Sequence, residues 1–70
     1  MEPIRDIDKH VICKADPYRG IIERATKKGT IRILLPLGGE VEFINDCTYT
    51  VIRRERMELF YVYSIHMMTG

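Results

Sequence analysis

Apolar and polar positions alternate along most of this chain in short β-branched runs broken by turn signals, a pattern of strands. The clearest run is TIRILLPLGGEVEFIN, residues 30–45. Folded as a hairpin about a three-residue loop, Leu37-Gly38-Gly39, it places Ile31, Ile33, Leu35, Val41 and Phe43 on one face. Arg32, Leu34, Glu42 and Ile44 then fall on the other. A two-residue Gly38-Gly39 loop would oppose Leu35 to Glu42. Because a one-residue slip turns every side chain over, the segregated register is the expectation. Upstream, KHVICKA (9–15) and IIERAT (21–26) are strands on either side of a DPYRG turn. Asp16 and Pro17 suit its first two positions, and Gly20 can take positive φ. KKG (27–29) is expected to close the next hairpin as a three-residue loop, with Ala25 opposite Ile31 and Arg24 opposite Arg32. Strands at 30–36 and 40–45 follow, and residues 1–8 read as a loose or edge segment.

The tail, CTYTVIRRERMELFYVYSIHMMTG, supports two readings. As strands, 48–54 and 59–66 form a hairpin around ERME, a turn without Gly, Pro or Asn. As a helix over about 49–66, it lines Ile52, Arg56, Leu59, Phe60, Tyr63 and Met67 along one side. RRERMELF favours helix by propensity, whereas TYTVI and FYVYSI favour strand. The alternation of Phe60, Val62 and Ser64 against Leu59, Tyr61, Tyr63 and Ile65 tips the balance to strand. HMM, at 66–68, reads as the frayed end of the last strand. The second face is apolar as well: Leu34, Ile44, Leu59, Tyr61, Tyr63 and Ile65 cannot all join the core of a one-sided sheet. Either the sheet curls into a small barrel or two chains pack together.

Seventy residues make a single domain. A hydrophobic fraction of 46% against 30% charged residues is globular in character. A core this small supplies only a few kcal/mol, and dimerisation is a common remedy. The charged start, MEPIRDIDK, lacks the apolar centre of a signal peptide, and no run is long enough to span a membrane. The expectation is a cytoplasmic protein with Cys13 and Cys47 as free thiols; a disulfide between them would require export. Two cysteines 34 positions apart make no zinc motif, and neither metal nor cofactor is expected.

The net charge of +1 hides an asymmetry. Arg19, Arg24, Lys27, Lys28 and Arg32 gather along the first hairpins, while residues 40–46 hold three acids and no base. One reading is an anion site for phosphate or a nucleic-acid backbone, with Tyr18 stacking on a base. The plainer one is solvated side chains pairing with Glu40 or Glu42. RRERME, at 53–58, mixes both signs and reads as a solvated turn. Tyr49, Tyr61 and Tyr63 form a row suited either to a contact surface or to cross-strand packing. Catalysis is not expected. His10 and Cys13, three apart on a strand, face opposite ways, and Gly38-Gly39 precedes a strand rather than a phosphate-binding helix.

VICKADPYRGIIE followed by LLPLGGEVEFIN resembles small uncharacterised bacterial β-rich proteins over residues 10–45. That resemblance implies a bacterial or phage origin and a β-meander, and no activity. GIIERATKKGTIRILLPLGGEVEFI also has the rhythm of small OB-type or SH3-type barrels, an analogy of fold only. The expected protein is all-β, an antiparallel meander of five or six strands, as a curled sheet or small barrel; the alternative is α+β with a C-terminal helix. Its expected function is that of a non-catalytic interaction module, forming a homodimer through Leu34, Ile44, Tyr49, Leu59, Tyr61, Tyr63 and Ile65 or taking another protein partner. The alternative is weak nucleic-acid or anion binding by the basic hairpins.

Overall fold

The computed structural model describes residues 1–67. Seven strands follow one another: β1 (Glu2–Arg5), β2 (Val11–Asp16), β3 (Ile21–Thr26), β4 (Gly29–Leu34), β5 (Glu40–Ile44), β6 (Thr48–Arg56) and β7 (Leu59–His66). They form two antiparallel sheets in meander order, β1-β2-β3-β4 and β5-β6-β7. No helix occurs among the described residues, so the helical alternative for the tail is overturned. The all-β antiparallel expectation holds; the expected five or six strands in one curled sheet or small barrel are corrected to seven strands in two sheets, not closed into a barrel.

Of the two readings of residues 1–8, loose or edge segment, the structure takes the edge for residues 2–5. Ile4 is buried opposite Cys13, which draws residues 2–5 onto the sheet as an edge strand. Pro3, which has no N–H to donate, is tolerated at an edge. The expected fraying of HMM concerns Met68 in part, which lies outside the described residues.

The second correction concerns the stretch 30–45. Its two strands do not pair with each other: β4 pairs with β3 and β5 with β6. Pro36 ends the first strand, and a tight turn follows in which Gly38 has a φ of 80° and Gly39 N–H donates to Pro36 O (2.9 Å). The chain thereby leaves one sheet and enters the other. The in–out alternation nevertheless holds. Leu35 is buried, and Ile33, Val41 and Phe43 pack against the core, while Leu34 and Ile44 are exposed. Ile31 departs from this pattern and is exposed. Strands facing each other across two layers need the same alternation as strands paired in one.

The third correction is the KKG loop. The β3–β4 hairpin turns through Lys27 and Lys28 alone, with Thr26 opposite Gly29. Thr26 Oγ1 accepts from Lys28 N–H (3.3 Å) and donates to Gly29 O (3.0 Å), which closes the shorter turn. The register moves by one, so Arg24 faces Ile31 and Arg32 faces Glu23. An opposed arginine pair is replaced by an ion pair.

The core unites the inner faces of both sheets: Ile4, Cys13, Ala15, Ile22, Leu35 and Ile52, with Phe43 and Phe60 at its margin. At one end of it lies Arg54, only 8% exposed. Its Nη1 donates to Leu35 O (3.0 Å), and its Nη2 reaches Met57 O (3.0 Å), Tyr18 O (3.3 Å) and Pro17 O (3.4 Å). One guanidinium thus ties the DPYRG turn, the sheet crossing and the β6–β7 turn together. That is why the ERME turn can do without Gly, Pro or Asn.

Candidate self-association surface

Pairing in the second sheet settles which side chains share its outer face. Ile44, Tyr49 and Ile65 form one cross-strand row, Glu42, Val51 and Tyr63 the next, and Glu40, Arg53 and Tyr61 the third. The inner face carries Val41, Ile52 and Val62, then Phe43, Thr50 and Ser64. Alternation in TYTVIRR and LFYVYSIH produces this division, because successive side chains of a strand point to opposite faces.

The outer face is apolar and aromatic along β7 and acidic along β5. Ile44 is 63% exposed, Tyr61 53%, Tyr63 49% and Ile65 39%, although each is large and apolar in body. On β5, Glu42 accepts a hydrogen bond from Tyr49 Oη, and Glu40 lies 3.9 Å from Arg53, which also pairs with Glu55 at 3.2 Å. The bond to the Glu42 carboxylate pushes the Tyr49 hydroxyl pKa upward, with lesser contributions from desolvation and from the charges of Glu42 and Glu40.

Of the seven residues expected at an interface, five meet on this face: Ile44, Tyr49, Tyr61, Tyr63 and Ile65. Leu59 starts β7 opposite Arg56, next to the β6–β7 turn, and is 51% exposed. Leu34 is exposed too but belongs to β4 in the other sheet. Sequence reasoning missed Val51 and Val62, whose neighbours on the outer and inner rows became visible only with the β6–β7 register.

The basic residues do not converge. Arg24 reaches the core margin, its guanidinium 5.4 Å from the Phe43 ring centroid. Arg32 forms an ion pair with Glu23, donating from Nε at 2.7 Å. Arg19 lies 3.7 Å from Asp16. Lys27 and Lys28 are exposed at a hairpin tip, and Tyr18 stands apart from them in the DPYRG turn. A shared anion would have to recruit these groups from different faces.

A second polar centre was not visible in the sequence. Asp6, Asp8 and His10 bring potential metal ligands within 4.8 Å of one another in the β1–β2 loop. Asp6 is buried; its Oδ1 accepts from Asp8 N–H (2.9 Å) and His10 N–H (3.0 Å), and its Oδ2 accepts from Thr48 Oγ1 (3.5 Å). Asp8 Oδ1 lies 2.5 Å from His66 Nε2, and Ile7 N–H donates to Ser64 Oγ (2.9 Å). These bonds hold the loop against the inner face of β6 and β7, a structural task. The signal that could have found it is Asp6 two residues before Asp8, since aspartate often accepts from the N–H two residues on.

Of the nucleophile candidates, Cys13 is buried and its thiol is pushed up to about 11 by desolvation, partly opposed by the charge of Arg24. His10 is exposed beyond the start of β2. Ser64 Oγ is held by Thr50 Oγ1 at 2.8 Å. No described helix is long and apolar enough to cross a membrane. Compared with protein-family models, with curated proteins and with solved structures, the chain finds no match.

Proposed function

We propose that this protein is a non-catalytic interaction module whose first partner is a second copy of itself, met through the β7 side of the three-stranded sheet. The observation that carries this reading is the row of exposed large side chains along β7: Leu59, Tyr61, Tyr63 and Ile65. Tyrosine offers contact area at small entropic cost, and burying such residues drives association. The small size of the core argues the same way, since a domain of this length gains much from a second copy.

Light scattering at low and high salt tests it. A dimer at both salts is expected, because apolar contacts do not depend on counterions. Tyr61→Ser with Tyr63→Ser should shift the dimer to monomer at the same concentration. A monomeric wild type across the micromolar range overturns the reading. Anion binding by Arg19, Arg24, Lys27, Lys28 and Arg32 is the alternative; the separation of those groups weighs against it. It would show as nucleic-acid binding that falls steeply with salt and is lost on Arg24→Glu with Arg32→Glu.

A further inference from the structure

The two sheets have four edges, and three of them are guarded. β1 carries Glu2, Pro3 and Arg5, with a register shift between Ile4 and Arg5. β4 has Arg32 and is followed by Pro36. β5 alternates Glu40 and Glu42 with apolar residues and runs into Asp46. Charges, prolines and bulges of this kind keep edge strands from pairing with other chains. β7 has them only where it begins, Glu58 before it and a register shift at its first residue. From Leu59 to Ile65 it reads LFYVYSI, without charge, proline or glycine; its register with β6 shifts only at the start, between Leu59 and Phe60, and it pairs on one side only, with β6. Its inner side opens on a groove of about 370 Å³ lined by Ile4, Phe60 and Val62 together with the charged Glu2, Arg5 and Glu58, so β1 does not close over it.

We infer that two copies join β7 to β7 in antiparallel fashion, turning two three-stranded sheets into one of six strands. This inference rests on the self-association reading and names its geometry. The register follows from symmetry. Residues opposite each other in an antiparallel pair share a face, so a two-fold axis must pass through a residue paired with itself. The uncharged run of β7 overlaps fully with its copy only when that residue is Val62. Leu59 then meets Ile65 of the other copy, Tyr61 meets Tyr63, and Phe60 meets Ser64. Glu58 falls opposite His66, so no like charges oppose each other anywhere along the join. On the outer face, two Tyr61–Tyr63 pairs flank the axis, an aromatic arrangement that stabilises neighbouring strands. On the inner face, Val62 of each copy covers the mouth of the partner's groove.

The test is a cross-link at the axis with an amide-exchange measurement beside it. Val62→Cys is made in a Cys47→Ser background and oxidised with glutathione disulfide. Opposed residues in an antiparallel pair have Cα atoms about 4.5–5.5 Å apart, within disulfide reach. Most of the chain should become covalent dimer, while Tyr49→Cys in the same background, on β6 rather than at the join, should form no cross-link. In the otherwise unaltered protein, alternate amides between residues 59 and 65 should exchange about tenfold more slowly in concentrated than in dilute solution. A dimer without cross-link and without that protection overturns the edge geometry and leaves self-association standing. A monomer at every concentration overturns both.

Discussion

Arg54 restricts what position 20 can hold. A Cβ built on Gly20, whose φ is 69°, would stand 2.4 Å from Arg54 Nη1 and 2.6 Å from Leu35 O. Gly20→Ala therefore combines backbone strain with displacement of a buried cation from its carbonyls. The expected loss is on the order of 3 kcal/mol, read as a fall in the urea midpoint at unchanged slope. An unchanged midpoint would mean that Arg54 moves aside freely. Cys13 makes a separate prediction. Burial raises its thiol from 9.0 to about 11, so both folded and unfolded chains are protonated below pH 9. Above that, the unfolded thiol ionises first, and the stability that burial of the neutral thiol contributes is lost as pH rises toward about 11. The full loss is about 2–3 kcal/mol, and Cys13→Ala should flatten that part of the stability–pH curve. Iodoacetamide at pH 8 should label the exposed Cys47 and spare Cys13 until the protein is unfolded.

At the scale of elements, strands were legible and their partners were not. Alternation in EVEFI and FYVYSI shows which residues face inward, and that survives in the structure. IIERAT is turned over: the expected loop put Ala25 with Ile31 on the core side, whereas the shifted register buries Ile22 and leaves Ala25 exposed. Alternation says nothing of whether the opposite strand lies beside or across. The LLPLGG stretch reads equally well as a hairpin loop or as a crossing between layers. Pro36 and the long-range bonds of the crossing, Gly38 N–H to Arg54 O (2.8 Å) and Arg54 N–H to Gly39 O (2.9 Å), make the difference. Arg54 itself was hidden within RRERME, where four neighbours of either sign suggested only a wet surface. β1 was legible only as a loose or edge segment, because its attachment depends on one buried isoleucine and on the loop after it. Asp6 secures that loop, so Asp6→Ala should remove the acceptor of two backbone N–H groups and the link to Thr48. A cost of about 2 kcal/mol is expected, with amide protection lost first in residues 2–10. Uniform loss of protection across both sheets would show that β1 belongs to the same cooperative unit as the core.

For the molecule as a whole, the balance lies between a small core and a large apolar exterior. Among the described residues six apolar ones are buried, whereas the β7 row, Ile44, Leu34 and Leu37 remain exposed. The body measures 37 × 28 × 17 Å, too thin for either sheet to be covered on both faces. A chain in this position gains stability by mass action when a second copy binds the folded state and not the unfolded one. Thermal unfolding should then depend on concentration. Raising the protein hundredfold, from about 3 to about 300 μM, should raise Tm by about 5–10 °C, the shift expected of a small domain gaining one to two kcal/mol per chain. Salt should leave that dependence in place, because the contact surface is apolar. Tyr61→Ser with Tyr63→Ser should abolish it while lowering Tm little in dilute solution, where the monomer already dominates. A Tm that ignores concentration in the wild type would show that the two layers are sufficient alone, and the tyrosines of β7 would then have no part in a contact between copies.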